Sequence, residues 1–314
     1  MWKALRRGRG ACRRGRGCDR VLRRIDYTIP PEYDGRKVLH FLRGSAGCSY
    51  SLVRSLKTFE DGILLNGVRT RTIDRVKEGD RLTITLHENP KEAQLFDSPV
   101  PVLYEDDDLI VFDKPAKMAC HPAKSMQQGT LANVFAAHCA RIGAAAPCRI
   151  LNRMDKDTTG AVVIAKNAFA AAALTGKIDK TYLAVIPGVI SPPSGVVDAP
   201  IGQPDRTDPR RAVLPDGKPA RTGYETVFAG EWFSILRCTL YTGRTHQIRV
   251  HMAHLGHPLL GDTLYEGDLS EIGRQALHCA AVSFTHPVTG KAVRVESPLP
   301  KDMQKFEGQP VESC

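Results

Sequence analysis

The sequence predicts an α+β protein, with a mixed, antiparallel-rich sheet domain preceded by a small α/β module. Three observations carry that prediction. After residue 102, short apolar runs bounded by Gly, Pro, Asn or Asp outnumber helical stretches. Two short helical patterns and a hairpin signal are confined to residues 36–87. A polar, proline-bearing stretch at 88–101 separates the two regions and reads as a linker. The division that follows is a disordered basic tail (1–24), a module (30–91), a larger domain (102–300) and a C-terminal tail (301–314).

The tail is Arg and Gly with almost nothing apolar after Leu5, so it cannot bury a core. Mitochondrial presequences share its Arg-rich, acid-poor composition, but its glycines oppose an amphipathic helix. In the module, Val38, Leu39 and Leu42 fit one face of a short helix, and Leu52, Val53 and Leu56 repeat the spacing. Gly44 and Gly47 break the chain between them. Ile63–Leu65 is a strand, and Asn66-Gly67 after it is a tight-turn signal. Glu78-Gly79-Asp80 makes another turn, and Leu82, Ile84 and Leu86 then alternate with threonines as a half-buried strand does. In the larger domain, 102–104 and 109–112 flank an acidic turn as a hairpin, and 130–142 is helical. Residues 161–165 form a buried strand and 168–174 a short helix, with further strands at 182–186, 222–228 and 232–241.

Composition narrows the function. The chain has 314 residues and is 42% hydrophobic, enough for a sizeable core. No stretch of eighteen apolar residues exists, and the run Ala161–Ala165 meets Lys166 at once, which excludes a membrane-spanning helix and argues against a membrane partner. Nine cysteines without a CxxC pair point to a reducing, cytoplasmic setting rather than a disulfide framework or zinc knuckle. The net charge of +10 is concentrated: residues 1–24 hold nine Arg, one Lys and one Asp, leaving 34 basic and 33 acidic groups elsewhere. Residues 36–91 keep a local excess, eleven Lys/Arg against six Asp/Glu, which suits either a solvated small domain or an RNA-binding module.

The chemistry gathers in a few segments. In "RILNRMDKDTTGAVVIAKN" (149–167), a charged loop precedes a fully apolar strand, and Arg153 and Asp155 stand two apart, on one side of an extended segment. By composition alone this is a polar turn before a core strand, Arg249 an exposed helix residue and Tyr182 a half-buried core aromatic. Leu277 is core on any view. Arg244, in a Gly-Arg-Thr turn, suits a phosphate as well as a structural role. His246, His251, His254 and His257 invite a metal reading. On a helix whose buried face is Ile248, Met252 and Leu255, however, His246 and His257 lie ~16 Å apart, and no metal site is expected.

The ordered motifs remove the ambiguity. "DKPAKMACHP" (113–122), "NRMDKDTTG" (152–160), "DKTYLAVIPG" (179–188), "DAPIG" (198–202), "KPARTGYETV" (218–227), "TGRTHQIRVHMAHLGHPLLGD" (242–262) and "ALHC" (276–279) together closely resemble the RluA family of RNA pseudouridine synthases. The match covers roughly residues 30–300. Asn152 stands where the family signature has His, Met154 where it has Leu, and Lys117 where Gly is usual. The module resembles the alpha-L RNA-binding domain of a small-subunit ribosomal protein.

The resemblance implies an isomerase that needs no cofactor, since uridine and pseudouridine differ in neither oxidation state nor composition. It implies Asp155 as the catalytic aspartate, Arg249 as its pairing arginine and Tyr182 as the aromatic that stacks on the target base. It also implies Arg153 as the residue that enters the nucleic-acid stack, and Leu277 as an apolar pocket wall. Ribosomal RNA of the large subunit is the implied partner, with transfer RNA second. A monomer is expected. A rival reading, a non-catalytic RNA-binding assembly factor on the same fold, would not need Asp155, Arg249 and Tyr182 together.

Overall fold

The computed structural model describes residues 21–90, 93–123, 126–205 and 207–306. The smaller of its two main sheets contains β1 (Val21–Thr28), β2 (Ile63–Leu65), β3 (Val68–Arg69) and β4 (Arg81–Glu88), antiparallel in the order β1-β4-β2-β3. Helices α1 (Val38–Arg43) and α2 (Tyr50–Leu56) cover one face. Their buried residues, Val38, Phe41, Leu42, Val53 and Leu56, meet Ile25, Leu82 and Ile84 in one core. Phe41, rather than the expected Leu39, completes the buried i, i+3, i+4 face of α1. Asn66 and Gly67 both take left-handed φ (51° and 83°), as a two-residue hairpin needs to match the strands' twist.

Strand β1 corrects the expected tail boundary. Residues 21–24, assigned to the tail, are the first half of a strand paired along its length with β4. Arginines mask the alternation that buries Ile25 and half-buries Tyr27. Residues 1–20 lie outside the described residues.

The larger sheet starts with the hairpin β5 (Val102–Glu105) and β6 (Leu109–Lys114), followed by β7 (Arg149–Ile150), β8 (Thr159–Ala165), β9 (Asp179–Pro187) and β10 (Ser194–Asp198). The short pair β11 (Ile201–Gly202) and β12 (Ala212–Val213) stands apart from it. The sheet is completed by β13 (Arg221–Ala229), β14 (Phe233–Leu240), β15 (Leu277–Thr285) and β16 (Ala292–Glu296). The spatial order is β10-β13-β14-β9-β15-β8-β6-β5, with β16 on β15 and β7 on β8; β15–β8 is parallel and the other pairings antiparallel. This is the mixed, antiparallel-rich sheet the sequence predicts.

Central β8 is buried at every position, which is why it reads as an unbroken apolar run. Ala161, Val163 and Ala165 face the main core, while Val162 and Ile164 face α3 (Leu131–Arg141) through Leu131, Val134 and Phe135. Thr130 starts α3 with a capping box closed by Asn133. The opposite face carries α4 (Ala168–Leu174) and α5 (Gln247–His254), which contribute Ala170, Leu174, Ile248 and Met252. A last helix, α6 (Lys301–Gln304), corrects the expected C-terminal tail: Met303 and Phe306 are 1% exposed and pack with Val185, Phe233 and Leu260. Dense charge around these two residues hides their i, i+3 spacing in the sequence. Among the described residues, no helix is long and apolar enough to cross a membrane.

Candidate active site

The loop from Leu151 to Thr158 enters β8 and is fixed from three sides. Asn152, buried, donates through Nδ2 to the Ala161 carbonyl (2.9 Å), and its Oδ1 accepts the Val163 N–H (2.7 Å). This replacement for the family's histidine therefore splints the loop directly to the strand. Met154 lies against both main cores, and its backbone N–H meets Cys120 Sγ at 3.4 Å. Lys114 is wholly buried at the end of β6, and its Nζ donates to the carbonyls of Pro115 (2.9 Å), Met118 (2.7 Å) and Lys156 (2.9 Å). Burial pushes its pKa down to about 8. Lys117, in the usual glycine position, adopts φ 62° and gives its N–H to Asp157 Oδ1. Gly160 admits no substitute: at φ 113°, a Cβ would sit 2.3 Å from the Cys279 carbonyl oxygen of the parallel neighbour.

This scaffold holds the Asp155 carboxylate, 25% exposed, at the mouth of a small pocket. Its Oδ2 accepts Arg249 Nη1 at 2.9 Å. Arg249 is buried on α5, and its remaining fork, Nε and Nη2, binds both oxygens of Asp262 at 2.7 Å. Burial opposes the guanidinium charge, but the two carboxylates outweigh it and hold its pKa above the ordinary value. The Arg249 guanidinium also lies 5.1 Å from the Tyr265 ring centre. Among the described residues, no donor reaches Asp155 Oδ1.

All six residues singled out in the sequence line this one pocket: Arg153, Asp155, Tyr182, Arg244, Arg249 and Leu277. Tyr182, on β9, is 4% exposed, and burial raises its hydroxyl pKa well above the ordinary value. Leu277 opens β15 at 5% exposure. Arg153 is exposed, and Arg244 is held by a 2.9 Å bond from Nε to the Pro219 carbonyl. The pocket adjoins a cleft of about 810 Å³ whose walls add Lys180, Arg211 and Lys218. A basic cleft ending at a paired carboxylate and a buried aromatic suits chemistry on one nucleotide drawn out of a polyanion.

The histidines do not converge. His246 points at Tyr265, His251 is bonded to Thr222 and the Ala199 carbonyl, and His257 meets the Pro187 carbonyl. Leu255 is 38% exposed, contrary to the helix face expected for it, while Gln247 to Met252 are all buried because α5 is covered on more than one side. Sequence reasoning missed Lys114, Asp262 and Tyr265. The first two stand inside the quoted motifs and carry no signal of their partners. A separate group, Asp106, Asp108 and His286, brings its ligand-type atoms within 4.8 Å of one another but lines neither pocket nor cleft.

The chain is similar in sequence and fold to known proteins. A family model described as RNA pseudouridylate synthase matches residues 108–254. The chain is 38% identical over 270 residues to the uncharacterized RNA pseudouridine synthase YjbO of Bacillus subtilis, covering 84% of this chain and 95% of that protein. It is 37% identical over 263 residues to ribosomal large subunit pseudouridine synthase D of Xanthomonas campestris, covering 77% and 79%. Among solved structures, human RNA pseudouridylate synthase domain containing 4 shares the fold with a TM-score of 0.55 at 22% identity, covering 67% of this chain and 94% of that one.

Proposed function

The chain belongs to the RNA pseudouridine synthases, and from that premise we propose that it isomerises uridines of large-subunit ribosomal RNA with Asp155 as its catalytic group. The observation that carries the reading is the Asp155 carboxylate, tied through Oδ2 to Arg249 and facing the same pocket as Tyr182 and Leu277. Several relatives are named large-subunit pseudouridine synthases, which favours that RNA over transfer RNA.

The reaction breaks the bond from uracil N1 to the ribose anomeric carbon, turns the base, and joins C5 to that carbon. C5 loses its proton and N1 gains one, so atoms balance without an oxidant or energy source. Asp155 supplies a carboxylate able to act as nucleophile or base. Tyr182 offers a ring face to the freed uracil, and Leu277 closes the apolar side. Arg153, exposed at the rim, replaces the extruded base in the stack, while Arg244, Lys180, Arg211 and Lys218 meet phosphates. We place this activity in the cytosol, where the free cysteines of the described residues would stay reduced.

The test is to map pseudouridine chemically in the RNA of a strain lacking the gene, before and after restoring wild-type or Asp155→Asn protein. Loss and rescue of sites in large-subunit RNA, with no rescue by Asp155→Asn, is the expected result. Sites confined to transfer RNA would move the substrate assignment, and rescue by Asp155→Asn would refute the role of Asp155.

A further inference from the structure

His246, the residue before α5, has φ 57°, a conformation that L side chains rarely adopt. That turn directs its ring, 14% exposed, between Asp155 and Tyr265. Nδ1 lies 2.9 Å from the Tyr265 hydroxyl, and Nε2 lies 3.8 Å from Asp155 Oδ2. The Tyr265 oxygen already accepts the Arg211 backbone N–H at 2.9 Å. Its hydroxyl hydrogen is therefore available to Nδ1, which makes Nδ1 the acceptor and places the neutral ring's proton on Nε2. The other tautomer would aim a second N–H at the same phenolic oxygen and set a ring lone pair against the carboxylate. Burial holds the His246 pKa below its ordinary value, so the neutral ring is the relevant form.

We propose that Tyr265 and His246 form a positioning pair for Asp155: Tyr265 fixes the Nε2–H tautomer, and that N–H closes on Oδ2 beside Arg249 when RNA binds, leaving Oδ1 to face the ribose. The inference rests on the reading of Asp155 as the reacting carboxylate. Two donors on one oxygen orient the carboxylate and leave the lone pairs of the other for chemistry. A separation of 3.8 Å is of the kind that shortens when substrate seats against the carboxylate. His246 is a positioning residue here, since it acts through Asp155.

Two measurements decide the matter. Nitrogen-15 NMR of the free protein reads the tautomer directly. The wild type should show His246 protonated on Nε2, and Tyr265→Phe should show a mixture, because Phe keeps a ring beneath Arg249 but offers no hydroxyl. An Nδ1–H tautomer in the wild type overturns the proposal without any RNA. The second measurement is single-turnover release of tritium from uridine C5, on transcripts of large-subunit ribosomal RNA and on a transfer RNA pool. His246→Ala should slow the rate at saturating RNA by roughly 30-fold, with the half-saturating concentration unchanged within about twofold. His246→Gln, whose amide N–H can stand where Nε2–H stood, should recover most of that loss, and Tyr265→Phe should slow the step about tenfold. A Gln variant as slow as Ala, or an effect on half-saturation alone, refutes the pair. A wild-type protein that releases tritium from neither RNA refutes the functional reading instead, and the NMR result still decides the tautomer.

Discussion

Two of the arginine–carboxylate clusters in this molecule differ in one oxygen. At the junction of the two sheets, Arg23 of β1 binds Asp108 with Nε and Nη2 (2.9 and 2.8 Å), and Asn167 donates to the same Asp108 Oδ1 (2.7 Å). Asp106 beside it accepts the N–H groups of Asp108 and Leu109, the Tyr104 hydroxyl and His286 Nε2. Both oxygens of each carboxylate are engaged, and Asp108 is 2% exposed. In the cleft, Arg249 likewise saturates Asp262, but it takes only one oxygen of Asp155. Burial and an arginine partner therefore do not identify a reactive carboxylate. What sets Asp155 apart is an oxygen that no donor among the described residues reaches, beside an open cleft, and the proposed assignment of the chemistry to Asp155 rather than to Asp106 or Asp108 rests on that difference.

The sharpest test of the contrast exchanges the same atoms at both places. Asp155→Asn should cut single-turnover isomerisation by at least about a thousandfold, ~4 kcal/mol in barrier, with RNA affinity retained. Asp108→Asn should do the reverse. It should leave the rate of the folded protein within a few-fold of wild type but lower stability by ~1–3 kcal/mol, because Arg23 loses its nearest charged partner. Equal effects on both readouts at both positions would dissolve the distinction.

Removing residues 1–91 tests how much the junction holds. Glu88 of β4 binds Arg149 Nη2 at 2.8 Å and accepts the Ala168 N–H, and Phe169 of α4 is buried in the module's core. The module is thus packed onto the sheet that carries the cleft, more closely than a polar linker suggests. Truncation should lower the Tm of the remainder by about 10 °C, the equivalent of several kcal/mol at this size. The remainder keeps all six pocket residues and should still isomerise a short stem-loop below that Tm. Thermal melts and single-turnover rates on one preparation separate the two outcomes, and an unchanged Tm would show the junction to be idle.

A smaller effect is expected at Asn152, which belongs to neither cluster but splints the loop of one. Asn152→Ala orphans the Val163 N–H and the Ala161 carbonyl, and should cost ~1–3 kcal/mol of stability. The rate should fall about tenfold, as a loosened Asp155 predicts. Chemical denaturation and kinetics on the same variant check both. Least of all should change in excess chelator. With the RNA's own folding controlled, turnover without added metal should match turnover with it, and restoration by one divalent ion at low concentration would overturn that.

Much of the fold is legible because it is local. Asn66-Gly67 dictates its hairpin through backbone sterics, and the run 161–165, short and rich in β-branched residues, reads as a strand buried on both faces. The pocket residues were legible through ordered motifs. β1 and the segment 301–306 were not, because surrounding charge conceals Ile25, Met303 and Phe306. Lys114 and Tyr265 escaped for another reason: a buried lysine and a half-buried tyrosine look like any others until their partners are known.

The sequence by itself determined the strands with a clear apolar pattern, the tight turns and the set of side chains available for chemistry, since these follow from periodicity, backbone sterics and residue type, whereas β1, β10, β15 and β16 were decided by the sheets they join. Only the tertiary structure decided which carboxylate keeps an open oxygen. Arg249 lies 94 residues from Asp155, and Arg23 lies 85 from Asp108. Whether such a pair closes both oxygens or one depends on where the sheet and α5 place them, and a side chain's reactivity is set by the partners that packing supplies.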